Sequence, residues 1–76
     1  MPTYTLYSTP GCHLCEQACA LITAIEQVID FEEIDISTDD LLLSRYGESI
    51  PVLRNNQTGD ELNWPFVKKQ IERFIE

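Results

Sequence analysis

The chain has 76 residues, with five Lys and Arg against thirteen Asp and Glu, a net charge of −8, and 43% hydrophobic positions. That length fits one small domain, residues 1–76, and the apolar content fits a folded chain rather than a disordered one. The acidic balance excludes a broad surface for nucleic acid or anionic membrane, and three cysteines are too few to form a disulfide scaffold.

Tyr4-Thr5-Leu6-Tyr7-Ser8, aromatic and β-branched, is closed by Thr9-Pro10-Gly11 and predicts a strand ending in a turn. From Cys12 to about Ile29, the residues Cys15, Ala18, Leu21, Ile22, Ile25, Val28 and Ile29 recur at spacings of three and four, which predicts an amphipathic helix. Phe31 to Ile36 predicts a second strand, with Ile34 and Ile36 alternating with acids. Ser37-Thr38-Asp39-Asp40 is a run of helix-capping residues and first-turn acids. It opens a short helix through Tyr46, for which Gly47 supplies a left-handed stop. Pro51–Arg54 and Glu61–Trp64 flank the polar turn Asn55–Asp60, a β-hairpin pattern. Pro65 then suits the first position of a last helix, whose face is Val67, Gln70, Ile71, Phe74 and Ile75.

The order is β-α-β-α-β-β-α. A parallel βαβ unit joined by the hairpin gives an α/β fold: a four-stranded mixed sheet with helices on both faces and the first strand inside. Met1-Pro2-Thr3-Tyr4 carries no basic stretch followed by an apolar run, and no apolar segment approaches the length of a membrane span, so a cytoplasmic chain without a membrane partner is expected; a monomer is expected as well. In a reducing compartment, cysteines three apart serve catalysis or metal binding rather than structure.

Cys12-His13-Leu14-Cys15 begins where the first strand ends and the helix starts. Residues three apart in a first helical turn are close to the Cα separation that a disulfide accepts, about 4.4–6.8 Å. Free N–H groups and the helix dipole favour an anion there, which makes Cys12 the candidate nucleophile. Cys15 lies a turn deeper on the apolar stripe and is the candidate resolving thiol. His13 adds positive potential when protonated and is a candidate for tuning the Cys12 thiolate. Cys19 is expected to be a core or boundary thiol, since seven residues of helix, about 10.5 Å, put it out of reach of Cys12. The same donors, Cys12, His13, Cys15 and Cys19, leave two alternatives, a metal-binding carrier and a non-catalytic binding module. They lie on one helix, however, whereas structural zinc sites draw ligands from two separated pairs, so no metal is expected.

Cys-x-x-Cys at a helix start, the Pro-led hairpin and the final helix resemble the thioredoxin superfamily. The segment Tyr7–Cys15 is similar to the glutaredoxin branch, and Trp64-Pro65-Phe66 to its small bacterial glutaredoxin-like members. The resemblance covers essentially the whole chain. It implies a thiol–disulfide oxidoreductase of the thioredoxin-like fold, with Pro51 in cis beside the cysteine pair and the Ile50 backbone pairing with an extended substrate. Three features depart from the branch: His13-Leu14 replaces the usual Pro-Tyr, Thr9 the usual basic residue, and Asn63-Trp64-Pro65-Phe66 lacks the Gly-Gly that receives glutathione. Glutathione is therefore a candidate reductant whose usual binding residues are missing. The partners expected are a disulfide-containing protein or small thiol and a dedicated reductase.

Overall fold

A computed structural model describes residues 2–25 and 29–75. The elements follow the expected order: β1 (Tyr4–Ser8), α1 (His13–Ala24), β2 (Phe31–Asp35), α2 (Asp40–Tyr46), β3 (Val52–Asn55), β4 (Glu61–Asn63) and α3 (Lys68–Phe74). The sheet order is β2-β1-β3-β4, with β1 parallel to β2 and antiparallel to β3. β1 is interior, as its apolar character predicts, and so is β3.

Alternation along the strands divides the core in two. Tyr4, Leu6 and Leu53 face one side, where they pack with Ala18, Ile22 and Ile25 and with Phe66 and Ile71. Val52 and Tyr7 face the other side, under Ile36, Tyr46 and Leu42. α1 and α3 thus cover one face of the sheet and α2 the other. Leu6, Leu53 and Leu62 lie in one register row across β1, β3 and β4, which concentrates apolar area at the centre of the first layer. This is a thioredoxin-like α/β fold.

The strands differ from expectation by at most one residue at their ends, and three larger departures concern α1, Gly47 and α3. α1 ends at Ala24 rather than near Ile29: Ile25 turns extended at ψ 152°, and in the last turn the Thr23 hydroxyl donates back to the Cys19 and Ala20 carbonyls (3.1 and 3.0 Å). Ile25 and Ile29 still reach the core, but from beyond the helix, and Val28 lies outside the described residues. Gly47 is not left-handed; its φ of −52° is helical. The glycine is required there by close approach, since a Cβ would meet the Leu43 carbonyl oxygen at 2.5 Å. α3 begins at Lys68 rather than at Pro65. Phe66 is first driven into the core, edge-on to Trp64 at 5.1 Å, and the helix starts only where Gln70 Oε1 can accept the Val67 N–H at 2.9 Å.

Asp39 caps α2, its Oδ1 accepting the N–H groups of Leu41 and Leu42 at 3.0 and 3.1 Å. Asp39→Ala leaves both donors without that partner, and the chain is expected to lose about 1 kcal/mol in a urea titration, through a lower midpoint at unchanged slope.

Candidate functional site

The site is built at the junction of β1 and α1. Pro10-Gly11 turns the chain out of the central strand, and Gly11 adopts φ +75°, a conformation open to glycine at no steric cost. Cys12 follows as the N-cap of α1, and its Sγ accepts the backbone N–H of Cys15 at 3.2 Å. The cap position thus holds a sulfur, which gains from negative charge beside free N–H groups and the positive end of the helix. Cys12 and Cys15 are joined as a disulfide with Cα atoms 5.2 Å apart, inside the range that such a bond accepts without backbone movement.

Exposure separates the two sulfurs. Cys12 is half-buried, whereas Cys15 is only 2% exposed, on the stripe with Ala18 and Ile22 that packs against the sheet. A disulfide with one reachable and one shielded sulfur favours attack at the outer one. His13 projects into solvent with its side chain 90% exposed, and its Nδ1 lies 3.4 Å from Glu16 Oε2. Cys19 is half-buried, and burial together with the Glu33 carboxylate raises its thiol pKa. Among the described residues, no group of three or more His, Cys, Asp or Glu side chains is placed to hold a metal ion.

Pro51 is buried at the start of β3, after a cis Ile50–Pro51 bond, and its carbonyl accepts the Trp64 N–H at 3.2 Å. Ile50 is half-buried. Its N–H donates to the Tyr46 carbonyl at 3.2 Å, and among the described residues no hydrogen bond reaches its own carbonyl. Ile50 therefore has an acceptor to offer, while its donor is engaged.

Sequence reasoning missed a cleft of about 250 Å³ beside the cysteine turn, lined by Ser8, Thr9, Pro10, Glu33 and Asp35. The buried Ser8 hydroxyl donates to Glu33 Oε2 at 2.9 Å. Hydrogen bonds from the Ser37 hydroxyl and N–H hold the Asp35 carboxyl below its ordinary range. The cleft belongs to a wider asymmetry. All five Lys and Arg lie at position 45 or later, where they are matched by five acids, so residues 1–44 carry the entire net charge of −8. The count was available in the sequence, but only the parallel pairing of β2 with β1 brings Glu33 and Asp35 to the cysteine end.

A family model described as Glutaredoxin-like domain (DUF836) matches residues 3–76. The X-ray structure of Northeast Structural Genomics target protein XcR50 from X. campestris is similar at 36% identity, with a TM-score of 0.87, covering 95% of this chain and 93% of that one. The solution structure of the same target aligns at 36% identity and a TM-score of 0.85, over 99% of this chain and 92% of that one. No curated protein matches the chain.

Proposed function

The chain belongs to the glutaredoxin-like domain family, and from that premise we propose that it is a thiol–disulfide oxidoreductase with Cys12 as nucleophile and Cys15 as resolving thiol. The observation that carries this reading is the cysteine pair itself, capping α1 with one half-exposed and one shielded sulfur. In the reduced protein, the Cys12 thiolate attacks a substrate disulfide; one substrate sulfur leaves as thiolate and takes up a proton, and the other remains bonded to Cys12. The Cys15 thiol then loses its proton and attacks Cys12 Sγ, which releases the second substrate thiol and leaves the Cys12–Cys15 disulfide. Two electrons from an external dithiol or thiol pair restore the starting state. His13, when protonated, stabilises the Cys12 thiolate, although Glu16 competes for its charge.

The electron donor and substrate are selected by charge. Glutathione brings two carboxylates to a half-molecule of net charge −8, with Thr9 where the glutaredoxin branch carries a cation. A disulfide protein with Lys or Arg near its bond, or a basic face on a reductase, meets the opposite situation. Reduction of a cationic disulfide peptide is expected to slow about tenfold as salt rises from about 10 to 150 mM, while the rate with glutathione increases. Stopped-flow measurement over that range checks the pair of slopes. Equal slopes for both would remove charge as the selecting feature, and absence of turnover with any disulfide would remove the oxidoreductase reading itself.

A further inference from the structure

Tyr46, the last residue of α2, joins three parts of the molecule: β1, β4 and the segment that leads into the Ile50–Pro51 bond. Its ring stacks on Tyr7 of β1, with centroids 4.3 Å apart and planes at 17°, and β1 is the strand that leads into the cysteine turn. Its hydroxyl donates to Glu61 Oε2 on β4, where Arg54 Nη1 also approaches at 3.4 Å. Its carbonyl accepts the N–H groups of Ser49 and Ile50, at 2.8 and 3.2 Å. The Arg45 guanidinium lies 5.4 Å from the ring centroid.

We propose that Tyr46 is a positioning residue that fixes the Ile50 carbonyl relative to Cys12, so that an extended peptide disulfide meets both at once. The inference rests on the oxidoreductase reading above. The Ile50 N–H is turned inward to Tyr46, which leaves the carbonyl as the group that can accept from a substrate backbone. The Tyr46 side chain sets where that inward partner sits, because its ring is registered on β1 and its hydroxyl on β4. Burial, with the hydrogen bond to Glu61, pushes the phenol up to about 12, so it remains a donor throughout the neutral range.

The hydroxyl can be removed without disturbing the stack. Tyr46→Phe is expected to raise KM for a disulfide-bonded peptide about tenfold, the factor that 1.4 kcal/mol represents, at unchanged kcat. It should leave unchanged both the rate of Cys12 alkylation in the reduced protein and the turnover of a small aromatic disulfide, which has no peptide backbone to pair with Ile50. Glu61→Gln keeps an acceptor for the hydroxyl and should hold KM within about twofold, whereas Glu61→Leu should reproduce the Tyr46→Phe value. A role confined to stability would lower the melting temperature and leave the KM ratio between peptide and small disulfide where it was, which overturns the proposal. If wild-type protein turns over neither substrate, the oxidoreductase reading fails instead.

Discussion

Replacing Cys12 by serine is expected to abolish disulfide turnover, while replacing Cys15 by serine should stop the dithiol cycle at a mixed disulfide. A serine hydroxyl at the cap can still accept the Cys15 N–H, as Cys12 Sγ does at 3.2 Å, so the fold and the start of α1 survive the first substitution. What is lost is the only sulfur of the pair that a substrate can reach, because Cys15 is 2% exposed. Cys19 does not substitute for it: the thiol lies two turns along α1, and burial and Glu33 raise its pKa, which reduces its thiolate fraction at neutral pH. In Cys15→Ser the first attack is intact but the resolving sulfur is gone, so adducts of one protein to one substrate should accumulate. They should be visible by non-reducing electrophoresis and reversed by dithiothreitol. Residual turnover in Cys12→Ser would assign the chemistry to another thiol.

Leu6→Ala should cost about 2–5 kcal/mol, a large part of the roughly 5–15 kcal/mol that holds a domain together. Leu6 is fully buried on the central strand, in register with Leu53 on one side and Glu33 on the other, beneath the helices of the first layer. Neighbours fixed in two strand ladders cannot collapse into the vacated volume, so both the transfer term and the cavity term apply. In a domain of this size each kcal/mol moves the melting temperature by about 4–8 °C, and differential scanning calorimetry should record a drop of about 8–40 °C. A shift of only one or two degrees would mean that the first layer is far less tightly packed than the positions of Leu6, Leu53 and Ile71 indicate.

The parts of the fold legible in the sequence were those with a strong period or a hard chemical signal. β1 alternates against two cores, the cysteine spacing fixes the first turn of α1, and Asp39 is a capping residue in front of an apolar run. Element ends were less legible because tertiary contacts decide them. The apolar stripe of α1 continues past Ala24, yet the chain leaves the helix while Ile25 and Ile29 still pack inward. Pro65 suits a helix start in isolation, but burial of Phe66 delays the helix until Gln70 can cap it. Gly47 suggested positive φ, and its real constraint is an approach to Leu43 that only the folded turn creates.

The candidate site and the cluster around Tyr46 divide in the same way. That Cys12 and Cys15 pair could be read from four residues, since a spacing of three at a helix start is a local pattern. Tyr46, Glu61 and Tyr7 could not, because they meet only through the β1–β3–β4 ladder and the packing of α2 on its outer face. No periodicity links positions 7, 46 and 61. The Ser8–Glu33 hydrogen bond depends likewise on the parallel register of β1 and β2.

The central claim is that Cys12 and Cys15 exchange reversibly between dithiol and disulfide, and the reduction potential of the pair tests it most directly. Protein equilibrated against graded ratios of reduced to oxidised dithiothreitol or glutathione, then alkylated and weighed, should titrate as one two-electron transition. The midpoint is expected between about −270 and −120 mV, the span of dithiol oxidoreductases with one accessible sulfur at a helix start. A midpoint below about −300 mV, as in structural disulfides, or the absence of an intramolecular Cys12–Cys15 bond at any ratio, would contradict it.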